Sequence, residues 1–190
     1  MGIDYYAYAK DITSFSVKNC EKYISNLGLK IEIYPEYDAY SHTGFLPIKL
    51  DGDFIADTLA GKSFLSGFEI CLNQYEHVSA TNAPTGLLRK IFGKFGKKAE
   101  QQEIPFYNAI KDASHYFSIS CSSQDSFEIM LAYAFSAYLC KDCLAILDDP
   151  QTGQFFDKEK LIIIEVNEII DKLKIMYCKG ALSTHDFVEW

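Results

Sequence analysis

The chain has 190 residues and a formal net charge of −8, from 18 basic and 26 acidic side chains. Its 48% hydrophobic and 23% charged fractions are those of an ordinary globular protein and exclude a disordered or fibrous chain. At this length folding withdraws about 70% of the unfolded surface from water, enough for one core without disulfides or metal.

Charge also narrows the partners. A pI near 5.0 argues against nucleic acid, whose binding needs a basic stripe to displace counterions. Arg89 is the only arginine among the basic residues, which further disfavours bidentate phosphate or guanine recognition. The first ten residues lack a basic start followed by an apolar run, so no signal peptide is read there. The longest nearly apolar stretch, Phe127 to Cys140, falls short of the roughly 18 residues that a membrane span requires. A cytoplasmic protein with reduced cysteines and no membrane-spanning helix is expected, and a membrane is not the favoured partner.

Residues 3–9 read as a first strand. Ser14 or Ser16 can cap a helix on which Val17, Cys20, Ile24 and Leu27 share a face, and Gly28 stands where a helix-ending left-handed residue is wanted. Leu29 to Tyr34 alternates with period two and stops at Pro35. Residues 45–50 suggest an edge strand, because Pro47 cannot donate to a ladder. In 64–75, Phe68, Ile70 and Leu72 face one way and Glu69, Cys71 and Asn73 the other.

Residues 76–104 carry no strand pattern and read as an insertion with a short basic helix. A strand over 115–121 follows. Asp125 and Glu128 are placed for a reciprocal cap on a helix through Cys140, which is apolar on nearly every side and so should be buried on more than one face. Residues 143–147 suggest a short buried strand ending in a turn over 148–153. Asp157 can cap a last helix with Ile162, Val166, Ile169, Ile170 and Leu173 on one face. The order predicts a single α+β domain over 1–190. Helices would lie on one face of a mostly antiparallel sheet, in a ferredoxin-like βαββαβ core with an insertion and an extra C-terminal helix.

Catalytic signatures are sparse. Cys140 and Cys143 form the one CxxC, but at a helix C-terminus, where the dipole disfavours a thiolate. Zinc would need two further ligands, for which only Cys178 and His185 are in prospect. His42, His77, His115 and His185 are scattered. Asp51, Asp53 and Asp57 fail the calcium-loop pattern because Lys62 stands where a closing glutamate belongs. No cofactor or metal is expected.

Two segments are more distinctive. Thr85 to Lys98 holds five basic residues and no acid, Arg89 and Lys90 among them, with Leu87, Leu88, Ile91, Phe92 and Phe95 on one helical face. It could bind an anionic membrane surface or an acidic partner, mediate self-association, or pack on the protein's own sheet with its lysines in water. The loop from Tyr34 to Tyr40 places Tyr34, Tyr37 and Tyr40 among acids, a composition suited to interface anchors or to covering a sheet edge. These features point to a non-enzymatic protein-interaction module, an immunity- or inhibitor-like protein of bacterial type with a basic partner. The alternative is a small hydrolase-like enzyme using His115, Asp148 and Asp149, near the strand 115–121 and the turn 148–153.

Overall fold

The computed structural model describes residues 2–76 and 106–190. Among the described residues seven strands form one antiparallel sheet: β1 (Gly2–Ala9), β2 (Ile31–Ile33), β3 (Thr43–Asp51), β4 (Ser63–Gln74), β5 (His115–Ser122), β6 (Ile146–Asp149) and β7 (Gln154–Phe156). Their order is β2-β3-β4-β5-β1-β6-β7. Three long helices accompany it: α1 (Val17–Asn26), α2 (Ser126–Asp142) and α3 (Glu159–Cys178). The fold is α+β. The crossover through α1 carries the chain from β1 to β2 at the far edge, past β5, β4 and β3. A four-stranded core would have had it skip one strand only.

The helices form in the expected places for the expected reasons. The Ser16 side chain accepts from Asn19 N at the start of α1, and Asp125 accepts from the backbone N–H groups of Phe127 and Glu128 at the start of α2. Glu128 does not complete a reciprocal cap. Its carboxylate accepts instead from Ser122 N at 2.6 Å, tying the helix to the end of β5. Asp157 does not cap α3 either; Lys158 occupies the cap and its side chain makes no capping bond.

α2 is the centre of the molecule. From Met130 to Cys140 every residue is buried, because β1, β4, β5 and β6 lie on one side of it and α1 and α3 also pack against it. Phe135 is fully enclosed, with Phe68, Phe117 and Phe15 at ring-centroid distances of 5.5, 6.1 and 6.0 Å. Tyr138 keeps its buried hydroxyl satisfied by donating to Ser16 O (3.1 Å) and accepting from Ser16 N (2.9 Å), which fastens α1 to α2.

Two strand expectations are corrected. β3 is internal, not an edge strand. Tyr34 N donates to Pro47 O, so the side of Pro47 that lacks an N–H faces the point where the three-residue β2 ends. The strand after α2 starts at Ile146 and not at Cys143, because Cys143 caps the helix and Leu144 turns through φ 51°. β7 was not anticipated; it pairs with β6 across the 150–153 turn.

The expected basic helix of the 76–104 insertion lies outside the described residues. Among the described residues, no helix is long and apolar enough to cross a membrane.

Candidate binding face

Alternation along β1 divides its side chains cleanly. Tyr5, Ala7 and Ala9 are buried beneath the helices, while Asp4, Tyr6 and Tyr8 project from the other face of the sheet. The pairing register assembles that second face. Tyr6 stands opposite Asp148 of β6 and Ser118 of β5; Tyr8 stands opposite Ile146 and Tyr116. Asp148 is in turn opposite Phe155 of β7. On the other flank, Glu69, Cys71 and Asn73 of β4 meet Ser120, Ser118 and Tyr116. The three helices pack on the opposite face.

Aromatic rings gather toward one side of this surface. The Tyr8 ring lies 5.7 Å from Tyr116, 5.1 Å from Tyr75 and 5.6 Å from Phe106. Phe106, in a helical turn over 106–110, also lies 5.6 Å from Phe155. Tyr6 is 6.2 Å from Tyr116. The remainder is polar: Ser120 donates to Asp4 at 2.6 Å, and Asn73 donates to Ser118 at 3.4 Å.

Asp148 is the unusual member. It is half-buried among these rings and has no hydrogen-bond or ion-pair partner among the described residues. Burial, reinforced by the neighbouring Asp149, pushes its carboxyl up to about 6. The Tyr8 hydroxyl is pushed up by burial and then by the charge of Asp148, and Tyr6 moves the same way through burial, Asp4, Tyr116 and Asp148.

The expected tyrosine loop does not present three anchors. Tyr37 is buried against Phe15, with its hydroxyl pushed up by burial. Tyr34 donates to Glu36 at 2.9 Å and its ring lies against Trp190. Tyr40 alone is well exposed, at 67%. A loop spacing of three residues sent alternate rings into the core and along the surface, which composition could not distinguish. Arg89 and Lys90, the 85–98 segment around them and His77 lie outside the described residues.

The residues proposed for hydrolysis do not meet. His115 shares the helix-side register of Phe117, at the end of β5, with its Nδ1 2.9 Å from the Ser114 hydroxyl. Asp148 is on the other face. Asp149 is buried on the helix side and fully engaged: it accepts from Tyr133 Oη (3.0 Å), Gln151 N (2.9 Å) and the Thr152 hydroxyl (2.9 Å).

Cys140 and Cys143 are buried, and burial pushes their thiols up to about 12 and about 11. Cys178 is exposed at the end of α3, and His185 lies in a tail whose carbonyl accepts from Leu65 N at 2.7 Å. Asp51 accepts from Ser63 and Asp53 pairs with Lys30. Among the described residues no three His, Cys, Asp or Glu side chains converge as a metal site would require.

A groove is lined by Leu27, Gly28, Phe54, Asn167, Ile170, Asp171 and Lys174. Its two charged residues pair with each other across 4.0 Å. No protein-family model matches the chain, and no curated protein or solved structure is significantly similar to it.

Proposed function

We propose that the protein is a non-enzymatic interaction module that binds a basic protein through the second face of its sheet, as an inhibitor or immunity protein would. The observation that carries this reading is the make-up of that face: Tyr6, Tyr8, Tyr75 and Tyr116 beside Asp4, Glu69 and the unpaired Asp148. Tyrosine gives large contact area at little entropic cost, and acids steer a basic partner toward the surface. The overall charge of −8 acts in the same direction. Six free cysteines support a reducing, cytoplasmic setting. On the same footing, β6-β1-β5-β4 is read as a ferredoxin-like core widened by the β2–β3 hairpin.

The test begins with cross-linked capture from the source cells and ends with the purified partner. Replacing the exposed pair Asp4→Lys/Glu69→Lys should weaken binding about tenfold or more, chiefly through a slower on-rate. Glu168→Lys, on the exposed side of α3, should leave it unchanged. Equal losses from both variants would show that this face is not the interface.

A further inference from the structure

The rings of the binding face crowd around one carboxylate. Asp148 projects from β6 with Tyr6 directly opposite on β1 and Phe155 directly opposite on β7. Adjacent strands lie about 4.7–4.9 Å apart, so the two flanking positions are about 9–10 Å apart, with the carboxylate between them. A flat group held between two rings needs about 3.5–4 Å on each side, or about 7–8 Å in all. Phe106, in contact with both Tyr8 and Phe155, closes the end of this slot nearest Ile146. None of the four ion pairs of the described residues involves Asp148.

A carboxylate flanked by aromatic residues is a receptor for a cation, since both the charge and the ring quadrupoles attract it. Guanidinium fits this shape better than ammonium. It is planar, sheds water more readily, and can fork onto a carboxylate while its faces stack on rings. We propose that the slot receives an arginine side chain of the basic partner, its guanidinium paired with Asp148 between Tyr6 and Phe155. This rests on the interaction reading above and names the chemistry by which the partner is held.

The test uses the full chain and a probe that needs no identified partner. N-acetyl-arginine amide is titrated while the ring resonances of Tyr6, Tyr8 and Phe155 are followed by NMR. N-acetyl-citrulline amide serves as its uncharged isostere and N-acetyl-lysine amide as the point-charge comparator. Saturable shifts with arginine, about tenfold weaker binding of lysine and no effect of citrulline are expected. Asp148→Asn, which keeps the shape of the side chain and removes an unpaired charge, should weaken arginine binding about tenfold. Glu168→Gln, on the exposed side of α3, should not.

The absence of saturable arginine binding, equal shifts from citrulline, or undiminished binding in Asp148→Asn would each overturn the slot. Equal affinity for lysine would overturn its guanidinium preference. Capture of a basic partner that depends on Asp4 and Glu69 but is indifferent to Asp148→Asn defeats the slot and leaves the interaction reading standing. Specific arginine binding with no protein partner defeats the interaction reading instead.

Discussion

Asp148 and Asp149 are consecutive residues of β6 and face opposite sides of the sheet, one unpaired among the described residues and the other holding three donors. The same side chain therefore does opposite things to stability at adjacent positions. Asp149→Ala removes the carboxylate that accepts from the buried Tyr133 hydroxyl and unties the turn at Gln151 and Thr152, and should cost about 2 kcal/mol in urea unfolding. Asp148→Asn should stabilise the protein at pH 7 by about 1–2 kcal/mol, a figure reduced for its partial exposure. A gain in stability with a loss of binding is the signature of a group kept for recognition.

That gain should depend on pH in a defined window. The folded state holds a proton on Asp148 up to about pH 6, whereas the unfolded carboxyl titrates near its ordinary value of 3.8. Between these values the folded state binds more protons, so this group makes stability fall as pH rises through the window. The charge that raises it further is that of Asp149, the next residue on β6, whose side chain lies on the opposite face; Tyr6 and Tyr8 on β1 are neutral there. The advantage of Asp148→Asn should be full above pH 6 and vanish below about pH 4. Parallel stability profiles of the two proteins across this range would refute the assignment.

Phe135 tests the centre of the core. Its ring is fully buried among Phe15, Phe68 and Phe117, so Phe135→Ala should cost about 3–5 kcal/mol on denaturation. A loss below about 1 kcal/mol would place α2 at the periphery.

Each of the three long helices is followed at its C-terminus by a residue of positive φ. For α1 and α3 these are Gly28 (88°) and Gly180 (64°); for α2 it is Leu144 (51°), whose side chain is 61% exposed. A left-handed leucine costs about 1–2 kcal/mol, part of which a glycine gives back in the unfolded chain. Leu144→Gly should raise stability by up to about 1 kcal/mol. A fall in melting temperature would mean that the exposed leucine makes a contact worth more than its strain.

The helices were legible because each carries its own signals: Ser16 and Asp125 as caps, Gly28 as a stop, and an apolar face or, for α2, an apolar surface all round. The two faces of β4 were legible from alternation alone. Strand order was not, since it depends on pairings between distant residues such as Tyr8 with Tyr116 and Ile146. The candidate face was hidden for the same reason. Tyr6 and Phe155 look unremarkable within their own strands and Asp148 reads only as a candidate acid beside the 148–153 turn; register alone makes the three neighbours. The Tyr34–Tyr40 loop drew attention because its tyrosines are close in sequence, yet Tyr37 belongs to the core.

The position of β1 has a consequence for how the chain acquires its structure. It leaves the ribosome before the other described strands, but both strands that flank it, β5 and β6, come after residue 114. Strands β2, β3 and β4 can form a meander from local contacts, while β1 must wait for partners more than a hundred residues away. Synthesis of the first half therefore yields an open apolar sheet edge and no closed core. A fragment ending at residue 76 should remain without cooperative unfolding, and mature structure should appear only once α2 and β6 have left the exit tunnel.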